Sequence, residues 1–226
     1  MEGPKKYRLI YFKFPPGRLC RADNLRLIFY EAGVEFEDEL IYTKDWADYK
    51  KEHPELLPFN QVPVLVIDGT EVLAQTKAIG RYLSKQFGLL GKNEEEAAKV
   101  DMIVEGFDDF LAQVRPWFKA CFVERSDERA REVEQELVSK EVLSSSLIRF
   151  EGMLKNNWSG WFVGNKVTWA DFFVAEGLYR ITEVLDPKLL DKYPVLRDHI
   201  RRVYTLPEIQ KHFHFRFHDR HMDPAD

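Results

Sequence analysis

The sequence predicts an α/β module over residues 4–91, an all-helical domain over 93–217 and a short tail over 218–226. Three observations predict it. Strand and helix patterns alternate through the first part of the chain. An Asp68-Gly69 pair between two apolar runs marks a hairpin there. From Glu94 onward strand patterns vanish, and apolar residues recur at the spacing of a helix face.

Tyr7 to Phe12 is a short aromatic and aliphatic run, the pattern of a strand buried on both faces. After a Pro-Pro-Gly turn, Arg21 to Ala32 places apolar residues at 22, 25, 28 and 29, and Gly33 ends that helix. Phe36 to Tyr42 reads as a second strand, and a helix runs from Asp45, its expected cap, to before Pro54. Val62 to Ile67 and Glu71 to Ala74 form the hairpin, and a helix over Lys77 to Phe87 closes the unit. The composition then shifts across Gly88 to Asn93, the expected boundary. A long helix carries Val100, Ile103, Val104, Phe107, Leu111 and Val114 on one face. A second is expected from Arg125 to about Leu154, weakest at Ser144 to Ser146, and others follow at 168–184, 195–205 and 207–213.

Composition narrows the function. The mild net charge of -5 argues against a nucleic-acid surface. No run approaches the ~20 apolar residues of a membrane span. The opening residues lack the apolar core of a signal peptide, and two distant cysteines, Cys20 and Cys121, make no disulfide framework. A soluble, cytoplasmic protein is the expectation.

Four local features bear on function. Val62-Pro63, after Asn60-Gln61, puts a proline at a strand start, where it removes no ladder donor; a cis bond there would expose neighbouring backbone groups to an extended peptide. Gln75-Thr76 lies between hairpin and helix, where Thr76 can cap the helix and where helix N–H groups favour a carboxylate. Thr168 to Asp171 reads as a capping box, with Val167 and Phe172 closing a hydrophobic staple. Asp101, Glu105, Asp108 and Asp109 form an acidic stripe on the long helix: a solvated face, or one that captures an ammonium group or a hydrated divalent cation.

In order and spacing these pieces resemble the cytosolic glutathione transferases, most of all the sigma class that includes haematopoietic-type prostaglandin D synthases. The matching stretches are Tyr7 to Phe12, Arg21 to Asp23 with Leu25-Arg26, Asp45-Trp46 with Lys50, Pro58 to Leu65, Gln75 to Leu83, Val100-Asp101, Asp108 to Phe110, and Gly164 to Phe172. The resemblance implies a thioredoxin-like domain joined to a helical one, glutathione as co-substrate, small hydrophobic electrophiles as substrates, and a homodimer. It implies that Tyr11 donates its hydroxyl to the glutathione sulfur, with Arg21 beside it. Trp46 and Lys50 then reach the glycine end of glutathione. Asn60, Gln61 and Val62 pair with the cysteinyl backbone before a cis Pro63. Gln75 and Thr76 hold the γ-glutamyl carboxylate, and Asp109 reaches across the dimer to the γ-glutamyl amine.

The sequence also departs from that pattern. Lys13 to Cys20 is longer than the matching loop of sigma enzymes; it borders the expected electrophile pocket, and Phe14 is a candidate wall. An insertion at His53 to Leu57 lies near Lys50. In the prostaglandin synthases acidic residues at the positions of Glu105, Asp108 and Asp109 bind magnesium; no metal site is assigned here. The run His212 to His221 holds four histidines, open to a metal or a surface-tail reading, the latter favoured by the absence of cysteines. Two alternatives to conjugation stand: a glutathione-dependent prostaglandin H2 to D2 isomerase, and a crystallin-like protein that binds glutathione without turnover.

Overall fold

A computed structural model describes residues 4–13 and 20–212, with Val184 described by its backbone alone. Phe14, most of the long loop, and the histidine-rich run beyond His212 lie outside the described residues.

Strands β1 (Tyr7–Phe12), β2 (Glu37–Ile41), β3 (Val64–Ile67) and β4 (Glu71–Ala74) form one sheet in the order β2-β1-β3-β4. β1 and β2 run parallel, which requires a crossover, supplied by helix α1 (Asp23–Ala32). β1 with β3 and β3 with β4 are antiparallel. The hairpin turns at Asp68 and Gly69, both at positive φ (52° and 76°), the backbone that an Asp-Gly pair adopts readily.

β1 is buried on both faces, and its alternation splits the core. Leu9 and Tyr11 join the large cluster shared with α1, with α3 (Thr76–Gln86) and with the helical domain. Ile10 joins a smaller cluster with Ile41, Val64 and Val66 beside α2 (Trp46–Glu52). Leu57, in the His53 to Leu57 insertion, is buried in that second cluster, so the insertion contributes core.

The helical domain comprises α4 (Glu94–Lys119), α5 (Asp127–Ser139), α6 (Val142–Lys155), α7 (Trp169–Val184), α8 (Pro194–Tyr204) and α9 (Pro207–His212). Asn93 caps α4 by accepting from the Glu96 N–H. The capping box of α7 is formed: Asp171 accepts from the Thr168 N–H at 2.8 Å and the Thr168 hydroxyl at 2.9 Å. The same carboxylate accepts from the Phe162 N–H and from His199 Nε2, both at 2.9 Å, so one buried group ties together three segments. Trp169 packs so closely on Gly80 that a Cβ there would lie 2.4 Å from its ring, which seats α3 against α7. Among the described residues no helix is long and apolar enough to cross a membrane.

Three local expectations are corrected. The helix expected from Arg125 to Leu154 is two, broken at Lys140 and Glu141, where Glu141 takes a φ of 52°; the serines lie inside α6. Asp45 precedes α2 but makes no side-chain cap, because a 3-10 turn over Thr43–Asp45 already gives it helical angles. Thr76 is the first residue of α3 and caps nothing: Gln75 holds the cap position at a φ of 75°.

Candidate functional site

The predicted site residues, Asp109 excepted, collect at one end of the sheet. Consecutive residues Tyr11 and Phe12 end β1 and point to opposite faces, so each organises one half of the region.

On the helical-domain side the Tyr11 hydroxyl is buried and accepts a hydrogen bond from the Arg21 N–H at 3.1 Å. Burial raises the phenol's pKa above its ordinary value, the neighbouring Cys20 adds to the rise, and the Arg21 N–H opposes it. The hydroxyl therefore stays a neutral O–H donor at any physiological pH. Arg21 meets Tyr11 through its backbone; its guanidinium lies 3.8 Å from Asp108 of α4.

Arg21 opens onto a cavity of about 260 Å³ between the two domains, also lined by Gln75, Thr76, Asp108, Phe173 and Glu176. Two buried polar atoms on its lining residues, Thr76 Oγ1 and Asn24 Oδ1, have no hydrogen-bond partner among the described residues. Thr76 begins α3, where the first-turn N–H groups carry the positive end of the helix dipole. An unspent hydroxyl at a helix start is a ready donor to an anionic oxygen.

On the other face Trp46 packs edge-on to Phe12, with ring centroids 5.1 Å apart, and the Lys50 ammonium sits 5.5 Å from the Trp46 ring centre, one turn along α2. Val62 packs against the same cluster. Asn60, at a φ of 51°, and Gln61 are exposed, and the Val62-Pro63 bond is cis. The β1–β3 ladder begins at Ile10 and Val64, so Asn60 to Pro63 stand beyond its end.

Three carboxylates of the acidic stripe, Asp101, Glu105 and Asp108, are paired with cations. Arg81 donates to Asp101 at 2.9 Å, Lys77 pairs with Glu105, and Asp108 receives Lys77 at 3.1 Å together with Arg115. A divalent ion would have to displace these partners, and no group of three or more metal-ligating side chains occurs among the described residues. Asp109 is exposed and does not line the cavity. Sequence reasoning missed Glu176 and Asn24 as cavity residues; the one available signal was a Glu176–Arg180 pair on an otherwise apolar stretch of α7.

Comparison with known proteins matches this arrangement. The family described as glutathione S-transferase, N-terminal domain, matches residues 21–86, and glutathione S-transferase, C-terminal domain, matches 112–216. Glutathione S-transferase 1 of Ascaris suum is 39% identical over 210 residues, covering 91% of this chain and 94% of its own. The crystal structure of the glutathione S-transferase from Ascaris lumbricoides is 37% identical with a TM-score of 0.80, covering 91% of this chain and 95% of that one. The structure of prostaglandin synthase D of Nilaparvata lugens is 30% identical with a TM-score of 0.77, covering 91% and 96%.

Fold and comparisons define a two-domain transferase that uses glutathione. The chain belongs to the glutathione S-transferase family.

Proposed function

We propose that the chain binds glutathione across the end of the sheet, holds it as the thiolate through Tyr11, and conjugates it to small hydrophobic electrophiles. The observation that carries this reading is the buried Tyr11 hydroxyl, with the Arg21 N–H donated into it, beside a cavity that holds an unspent Thr76 hydroxyl. A free thiol has a pKa of about 8.5, so only a few per cent is ionised at neutral pH. Lowering that pKa by about two requires about 2.7 kcal/mol of selective stabilisation. One hydrogen bond to a charged sulfur supplies about 1.5–3 kcal/mol, so a single neutral phenol is sufficient. The thiolate then attacks an electrophilic carbon.

In this reading Gln75 and Thr76 take the γ-glutamyl carboxylate, Asn60, Gln61 and Val62 ahead of Pro63 pair with the cysteinyl backbone, and Trp46 with Lys50 takes the glycine end. The 93–217 helical domain closes the electrophile side, with the division falling between α3 and α4. Two free cysteines favour the cytosol. The test is the ultraviolet absorbance of bound glutathione as pH varies, which reports its thiolate directly.

Assembly as a homodimer is part of the proposal. Asp109 finds no role within its own protomer's cavity, and large apolar side chains are left exposed, Phe59 by 60% and Met102 by 57%. Sedimentation is expected to give a dimer, and Asp109→Ala to weaken glutathione about tenfold. Unchanged affinity in that variant removes Asp109 from the site.

The likeness to a prostaglandin synthase favours a second reading: sigma-class kinship, with isomerisation of prostaglandin H2 as an added activity of the same thiolate. Production of prostaglandin D2 from that endoperoxide above the glutathione-only rate supports it, and its absence leaves conjugation alone.

A further inference from the structure

A chain of alternating charges crosses the junction between the domains. In α7, Arg180 Nε donates to Glu176 at 2.7 Å, and Arg180 Nη2 reaches Asp23 at 3.0 Å. Asp23, the first residue of α1, is held on its other oxygen by Arg26 at 2.6 Å. Arg26 continues to both oxygens of Asp38 at 2.9 Å and to the Cys20 sulfur at 3.4 Å. Glu176 and Arg26 are buried, and Asp23 and Arg180 nearly so. Tyr179 lies under the Arg180 guanidinium and Tyr204 of α8 stands close to the same charges.

The geometry lies two residues from the chemistry. Asp23 fixes the start of α1, and Arg21 just before it carries the N–H that Tyr11 accepts. An N–H in that lone pair sets the rotation of the phenol O–H and strengthens it as a donor. Asp23 is also near enough for its charge to act on Tyr11. An uncompensated carboxylate there would oppose a thiolate, and its two guanidinium partners cancel it.

We propose that Arg180 is a positioning residue: by bridging Glu176 and Asp23 it holds the α1 start, and with it the Arg21 N–H that orients the Tyr11 hydroxyl. This rests on Tyr11 as the thiol activator. The helical domain then tunes the thiol from across the junction without touching glutathione.

The test titrates the thiolate absorbance of glutathione bound to Arg180→Met, Arg180→Lys and the charge-balanced double variant Arg180→Met/Glu176→Gln. The double variant guards against loss of fold from an unpaired buried Glu176. Both Met variants are expected to raise the bound thiol's pKa by about one, read as about a tenfold fall in kcat/KM below that pKa and little change above it. Arg180→Lys restores the charge but not both contacts, and is expected to fall between. Glutathione affinity measured below the bound thiol's pKa, where the thiol is protonated, should stay within about twofold, since no glutathione contact is removed. Tyr11→Phe is the control. If it leaves the thiol pKa unchanged, the reading of Tyr11 has failed. If it raises that pKa while a folded Arg180→Met or double variant does not, the positioning role alone is overturned.

Discussion

Tyr11→Phe is expected to keep near wild-type affinity for the protonated thiol of glutathione, measured below the bound thiol's pKa, while kcat/KM for conjugation to an aryl halide falls roughly ten- to a hundred-fold. The ring stays and fills its place in the core, so binding and fold are preserved. What goes is one O–H donor to the sulfur, worth about 1.5–3 kcal/mol when the acceptor is charged. The lost term acts on ionisation, which fixes the sign with pH. Burial raises the Tyr11 pKa, so the wild-type donor persists as pH climbs. The variant's deficit should therefore shrink only as the medium itself ionises the thiol, near and above its free pKa of about 8.5. Equal turnover across that range would remove Tyr11 from the chemistry.

Asp171→Ala is expected to be the most damaging single change to stability, costing about 3–5 kcal/mol. The carboxylate is fully buried and accepts from the Thr168 N–H and hydroxyl, the Phe162 N–H and His199 Nε2. Truncation leaves those donors facing a cavity and removes Asp171's half of the α7 capping box. Urea unfolding measures the loss. A cost below about 1 kcal/mol would mean that the donors find other partners. Because α7 also carries Glu176 and Arg180, a frayed start should reach the catalytic side as well.

These two residues differ in how they could be read beforehand. Asp171 was legible from local pattern, since Thr168 to Asp171 followed by an apolar face is a helix start that needs no tertiary context. The same holds for Asp68-Gly69, whose backbone preference alone turns the hairpin. Tyr11 was legible only through resemblance; its pattern is that of any core aromatic in a strand. The break between α5 and α6 was not legible, because Lys140 and Glu141 carry no breaker signal, yet Glu141 takes a φ of 52°. Gln75 is similar: a non-glycine residue at a φ of 75° is held by the strand and helix on either side of it.

The acidic stripe shows a different limit. Helical spacing correctly placed Asp101, Glu105 and Asp108 together, but periodicity within one helix says nothing of what lies opposite. Lys77 and Arg81 come from α3 and convert a supposed solvated or cation-binding face into a set of ion pairs. Arg180 and Asp23 are 157 residues apart, so nothing short of the fold brings them together.

The central claim is that the site holds glutathione as the thiolate at neutral pH. The most direct measurement is the ultraviolet thiolate band of glutathione bound to the wild-type chain, followed through a pH titration. The account predicts a midpoint about two below the free thiol's value of about 8.5. A midpoint at the free value, with glutathione demonstrably bound, would contradict it.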